Sequence, residues 1–352
     1  MPSAAEHIAS IAGVGGEAAE LTGDAFMIDL HIDTFIPPRL LGYDVKKRHG
    51  LGVLGGRFFG HLDFPRIQDA GLDAAMWSIT TNPFRFPRSR WRVFLKNLTR
   101  FRKLIASTEG AFVEVKTCSQ LEEATSRGQH GVLFSIQGGN ALAAAPEGPC
   151  SIPDDVVTRI TLVHLTSSCY GVTSSPLRLG GSQRGLTERG REFVEQCNSR
   201  RVFVDLAHIN RAGFWDALET HDRTLPAIAT HTGVCGVRPH WRNLDDGQVK
   251  AIADTGGVVG VIFAGTFLRR RKGPRDVAMV VEHMEHIMKV GGDRAVAIGS
   301  DYDGAIVPPK GLRNGVHYAR LVQCMLERKW SEEQIRGALG LNFLESFRAL
   351  RP

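Results

Sequence analysis

The chain has 352 residues, beyond the size at which single cores usually stop growing but ordinary for an α/β barrel built as one domain. Hydrophobic residues make up 43% and charged residues 23%, close to soluble globular averages, which excludes a disordered or coiled-coil protein. The net charge of +6 raises the question of a nucleic-acid partner. Much of the excess, however, lies in two runs, Arg85 to Lys103 and Arg269 to Arg275, and such runs are usually solvated surface. No zinc-finger, RRM-like or basic-zipper pattern accompanies them, so no nucleic-acid partner is expected.

Residues 1–23 form an Ala/Gly-rich extension carrying Glu6, Glu17 and Glu20, expected to be helical or poorly ordered. No Lys or Arg precedes Arg39, so the basic and apolar regions of a signal peptide are missing. Six widely spaced cysteines contain no C-x-x-C pair and read as free thiols of a reducing compartment. The expectation is a cytoplasmic protein with no membrane partner, since no run of about 18 apolar residues occurs. The sequence leaves assembly open, a homodimer being the commonest closed form.

From residue 24 to 352 the chain reads as a single catalytic domain. Short apolar runs recur near residues 27–33, 72–79, 131–137, 159–164, 202–207, 226–231, 257–263 and 295–301, with helical segments between them. They are nearly continuous Val/Ile/Leu/Ala stretches rather than strict alternations, as parallel strands buried on both faces are. Strands alternating with helices in this number predict an α/β fold of the (β/α)8 TIM-barrel type. An open doubly wound sheet has the same periodicity, but would not let ligands from distant strand ends converge. Gly185-Leu186-Thr187 opens a helix running to about Asn198. Ser331-Glu332-Glu333-Gln334 has capping-box spacing and opens a terminal helix expected to complete the outer ring.

Three of these runs end in histidine. His31, with Asp33 two residues on, ends the first, and His208 and His231 end those at 202–207 and 226–231. Imidazole and carboxylate donors from separate strand ends suit Zn²⁺, which in catalytic sites keeps a position open for water. A metal-dependent barrel hydrolase follows. The basic runs after the second and seventh of these strands are expected on loops at the catalytic face, either as a solvated rim or as a funnel for acidic substrates.

With these residues in view, the sequence resembles the renal (membrane) dipeptidase family, peptidase family M19, among the amidohydrolase-like metal-dependent hydrolases. The likeness runs from about Asp29 to Phe347. It rests on Asp63-Phe64-Pro65-Arg66-Ile67, Trp77-Ser78, Gly138-Gly139, Gly185-Leu186-Thr187 and Val204-Asp205-Leu206-Ala207-His208. Further along come Arg242-Asn243-Leu244, Gly256-Gly257-Val258-Val259-Gly260, Ile298-Gly299-Ser300-Asp301-Tyr302-Asp303-Gly304 and Asn342-Phe343-Leu344.

The resemblance implies a zinc-dependent dipeptidase that hydrolyses dipeptides or related small amides with metal-activated water. By position, His31 and Asp33 hold one zinc and His208 and His231 the other. His164 stabilises the oxyanion and contacts substrate, Arg242 grips the substrate carboxylate, and Asp301 handles the proton. Asp303 is the alternative to Asp301. Alternation points both side chains the same way, with Asp301 nearer the barrel mouth.

Gln137 departs from the pattern, standing where the family has a glutamate that bridges two zinc ions. Its amide has the shape but not the charge, so one zinc held firmly and a second weak or absent is expected. Asn140, where the family commonly has histidine, departs too. The competing reading is a catalytically weakened or inactive barrel that binds a small carboxylated ligand. His61 and His240 remain unassigned, and Asp205 is read as a buttress for neighbouring groups rather than a ligand.

Overall fold

The computed structural model describes residues 3–50, 55–176 and 185–352, so residues 1 and 2 of the N-terminal extension lie outside the described residues. The barrel strands are β1 (Ile28–Ile32), β2 (Ala74–Thr80), β4 (His130–Gln137), β5 (Val157–Thr161), β6 (Phe203–Asp205), β7 (Ala229–Thr232), β8 (Val259–Val261) and β9 (Val296–Ile298). All pair in parallel, and nearly every residue in them is buried, which is why their sequences read as apolar runs.

A six-stranded sheet holds β1, β2, β4, β5 and β6, with a short sixth strand, Phe112–Glu114, beside β4, and a three-stranded one holds β7, β8 and β9. Two junctions join them into a ring. Asp205 bridges to Ile228 between β6 and β7, with Leu206 N donating to Ile228 O at 2.8 Å. Ile32 bridges to Tyr302 between β1 and the end of β9, with Asp33 N donating to Tyr302 O at 2.8 Å. The closed (β/α)8 barrel therefore stands.

Two details differ from the sequence reading. A short strand β3 (Phe112–Glu114) pairs with the N-terminal half of β4, below the stretch that β5 takes up. At three residues it is too short to carry a periodicity. The second concerns the terminal helix. Ser331 caps it as expected, bonding reciprocally with Gln334. The helix then passes through a π-helical stretch, Gly337–Leu341, into Asn342–Leu350.

This last helix does not join the outer ring. Phe343, Phe347 and Leu350 pack with Ile28, Leu30, Ala74, Met76, Leu133, Phe203 and Ile228. Arg351 donates to the carbonyls of Asp155, Val157, Arg200 and Arg201, which lie where β5 and β6 begin. The helix thus plugs the N-terminal end of the barrel, leaving the opposite end for chemistry.

The basic run also falls elsewhere than expected. Pro87–Ala106 is one helix packed on the barrel through Phe94, Leu98, Phe101 and Ile105, so most of the run lies on the outer ring and not on a rim loop. Its period-3.6 apolar face outweighed the charge. Arg102 is engaged by Glu114 and Asp154, and Arg90 by the Asn140 carbonyl. Among the described residues no helix is long and apolar enough to cross a membrane.

Candidate metal centre

The strand register lays Thr80 beside Gln137, Gln137 beside Thr161, and Thr161 beside Asp205 at the C-terminal ends of β2, β4, β5 and β6. Side chains two apart share a face, so Arg159 lies one layer deeper on the side of Thr161. His31 is in β1 with Asp33 just beyond it. His231 is in β7. His208 follows β6 and Asp301 follows β9, at φ 66° and 61°. Left-handed backbone at residues bearing a Cβ costs roughly 1–3 kcal/mol and clusters at functional sites.

These side chains converge. His31 Nε2 stands 3.5 Å from Asp301 Oδ1 and 3.9 Å from Asp33 Oδ1. His208 Nε2 and His231 Nε2 are 2.9 Å apart, and Gln137 Nε2 lies 3.4 Å from each. The His31 and His231 rings stack at 3.8 Å. His31, His231 and Asp301 offer ligand atoms within 4.8 Å of one another. His164 stands edge-on to His208, with ring centres 4.6 Å apart. Arg242 is buried and donates from Nη2 to His231 O at 2.7 Å. A cavity of about 180 Å³ opens beside it, lined by His208, Cys235, His240 and Trp241 among others.

Proton counting shows that half of this cluster suits a cation. Asp205 Oδ2 accepts from Thr161 Oγ1 at 2.9 Å and from Thr230 Oγ1 at 2.7 Å. Having given its only hydrogen to Asp205, the Thr230 hydroxyl can only accept from His231 Nδ1, 2.8 Å away. His231 Nδ1 therefore carries the hydrogen and Nε2 offers a lone pair, the arrangement a metal-bound histidine needs. His208 Nε2 faces that lone pair, and two nitrogens so placed are a donor and an acceptor, or two ligands of one cation. The Asp205 buttress expected from sequence is in place. Thr80 Oγ1 likewise has one hydrogen for two acceptors, Asp33 Oδ1 at 3.0 Å and Gln137 Oε1 at 3.2 Å, and the charged one has the stronger claim.

Burial dominates the electrostatics. It pushes the imidazoles of His31, His208 and His231 down, and His164 to about 4, disfavouring their charged forms. Burial, reinforced by the Asp33 charge, pushes the Asp301 carboxyl well above the usual carboxylate range.

Asp303 turns away from the cluster that Asp301 enters. Both residues have left-handed backbone, so strand alternation does not hold there and their side chains diverge. Asp303 accepts from the Gly60, His61 and Leu62 amides and from Thr34 Oγ1, while its own N–H donates to His61 Nδ1. It ties a loop, and His61 is part of the knot. His240 packs between Trp241 and Phe267 beside the cavity.

Arg159 escaped the sequence reading. It is fully buried inside the barrel, with Nη2 2.6 Å from His31 Nδ1, and Nη1 2.7 Å from Thr161 Oγ1 and 3.2 Å from Asp205 Oδ2. The available signal was a charged residue in the middle of the buried strand Val157-Thr158-Arg159-Ile160-Thr161, a placement rare without a partner.

A sequence model of the membrane dipeptidase family (peptidase family M19) matches residues 16–351. Among solved structures, the chain is similar to the metallo peptidase dipeptidase AC of family M19, at 25% identity over 93% of this chain and 99% of that one, with a TM-score of 0.81. A metallo peptidase from Rhodobacter sphaeroides, solved with a phosphinate mimic of L-Ala-D-Ala, has 24% identity over 93% and 100% and a TM-score of 0.80. The probable dipeptidase PvdM from Pseudomonas aeruginosa shares the fold at 16% identity over 95% and 97%, with a TM-score of 0.82. The barrel, the histidines and carboxylates at its C-terminal end and the family match agree: the chain belongs to the membrane dipeptidase family, peptidase family M19, and is a (β/α)8 hydrolase of the metallodipeptidase type.

Proposed function

We propose that the protein is a zinc-dependent dipeptidase acting on dipeptides or related small amides. The observation that carries this reading is the His208 Nε2–His231 Nε2 pair, 2.9 Å apart at the C-terminal end of the barrel, in a chain of this family. The ligand positions are His31 and Asp33 on one side and His208 and His231 on the other, with Gln137 between them. One zinc is held firmly and a second weakly or not at all, because an amide brings no charge to a place between two cations. Bound zinc would acidify a water and polarise the scissile carbonyl.

The chain's own residues supply the rest. Neutral His164 donates a hydrogen bond to the carbonyl oxygen as charge develops on it. The Arg242 guanidinium pairs with the substrate's free carboxylate, selecting substrates that end one residue past the cut. Asp301, whose buried carboxyl holds a proton readily, passes it from the attacking water to the leaving amine. A cytoplasmic setting goes with this reading, supported by cysteines that are all free, and so does a homodimer as the commonest closed assembly.

Gln137 also favours a second reading, a weakened or inactive barrel that binds a small carboxylated ligand. Metal content after zinc-replete purification and a dipeptide hydrolysis screen separate the two. Hydrolysis with about one zinc per chain is the expected result. Two tightly held zinc ions would refute the single-metal reading, and binding without turnover of any dipeptide would favour the second.

A further inference from the structure

Arg159 is the one feature of the cluster that the dipeptidase reading leaves unused. Guanidinium has five N–H donors, no acceptor, and a charge that persists in proteins. At 2.6 Å from His31 Nδ1 it can only donate, so Nδ1 presents a lone pair and the neutral ring carries its hydrogen on Nε2. Turning the ring over would set a C–H against the guanidinium and forfeit that bond. His31 Nε2 accordingly has no accepting role; it is fully buried, otherwise unpartnered, and aimed at the Asp301 and Asp33 carboxylates. A zinc ligand needs the opposite arrangement, with hydrogen on Nδ1 and a lone pair on Nε2. His231 has that arrangement through Thr230. The two rings, stacked at 3.8 Å, thus carry opposite tautomers.

The charge count agrees. The cluster's acidic groups are Asp33, Asp205 and Asp301, set against the two buried guanidinium groups of Arg159 and Arg242; Arg159 lies in the field of all three, and Asp205 is ion-paired to it. A fixed cation lies behind His31, and Gln137 brings no negative charge to offset a second metal.

We propose that Arg159 replaces one cation of this site: anchored on Asp205 and Thr161, it fixes His31 with its Nε2 hydrogen turned toward the Asp33 and Asp301 carboxyl groups, and it confines metal binding to the His208/His231 side. Arg159 is then a positioning residue acting through His31. This rests on the zinc reading above for the metal but not for the His31 tautomer.

The test is a long-range ¹H–¹⁵N correlation spectrum of full-length protein labelled at histidine, with His31 assigned by His31→Asn, recorded before and after adding zinc. His31 is expected to show hydrogen on Nε2 and to hold its position, while the His208 and His231 signals move with zinc. Hydrogen on His31 Nδ1, or a His31 signal that moves as the others do, overturns the proposal. Zinc content supplies a second arm. Gln137→Glu alone is expected to stay near one zinc per chain, whereas Gln137→Glu with Arg159→Gln, which sets an acceptor oxygen beside Nδ1, should rise to two. Two zinc ions in Gln137→Glu alone would overturn the role of Arg159. Should the double variant fail to fold, the wild-type spectrum decides. Absence of zinc binding altogether would sink the dipeptidase reading, and His31 would still report its tautomer.

Discussion

Arg242 is buried at the edge of the cavity and spends one guanidinium nitrogen on the His231 carbonyl, leaving Nε without a partner. A hydrogen bond to a charged group is worth about 1.5–3 kcal/mol, so Arg242→Met should lower kcat/KM for dipeptides roughly ten- to hundredfold. The same variant should act on a dipeptide amide about as wild type does, because the amide offers no carboxylate to grip. Equal losses on both substrates would mean that Arg242 serves the His231 backbone alone. His31, His208, His231 and Asp301 stood out in the sequence by falling at the ends of apolar runs. Arg159 did not, since its meaning depends on a histidine 128 positions away.

Asp73, just before β2, joins two elements by accepting from Met27 N at 2.7 Å ahead of β1. Burial pushes its carboxyl up to about 6, with the Met27 bond opposing. Its folded pKa lies above the unfolded one, so the folded state binds more protons between them, and stability falls as pH rises from about 4 to 6. Above that window the full penalty, of order 3 kcal/mol, is in force. Asp73→Asn keeps an acceptor oxygen for Met27 and removes the charge. Thermal unfolding should show the variant more stable than wild type at pH 7, with the gap closing by pH 4; a gap of equal size at both would rule out this account. At this scale the strands were legible because burial on both faces writes itself as apolar runs. β3 and the terminal plug were not, as a three-residue strand has no periodicity and an amphipathic helix does not say which surface it covers.

Closure of the barrel depends on close backbone approach around β7, β8 and β9. A Cβ on Gly299 would lie 1.7 Å from Thr230 O, and one on Gly260 2.0 Å from the same atom. The obstacle is backbone in paired strands, which yields less readily than a side chain. Gly299→Ala should therefore cost about 3 kcal/mol or more, at the upper end of overpacking effects. The loss should appear as a lowered midpoint in denaturant unfolding; a midpoint within error of wild type would show that the strands can separate without penalty. Both glycines belong to motifs that carried the family resemblance, and the steric reason for them appears only in the closed ring.

By itself the sequence determined the barrel, the family, the histidines and carboxylates at strand ends, and the missing charge at Gln137, because each is recorded in residue type and local order. Tertiary structure decided what each ring nitrogen of His31 and His231 faces, that Asp303 ties a loop while Asp301 enters the cluster, and that an arginine lies behind His31. Those outcomes depend on what each donor and acceptor meets across the barrel, and a hydrogen's position is set by its partner rather than by the residue that bears it.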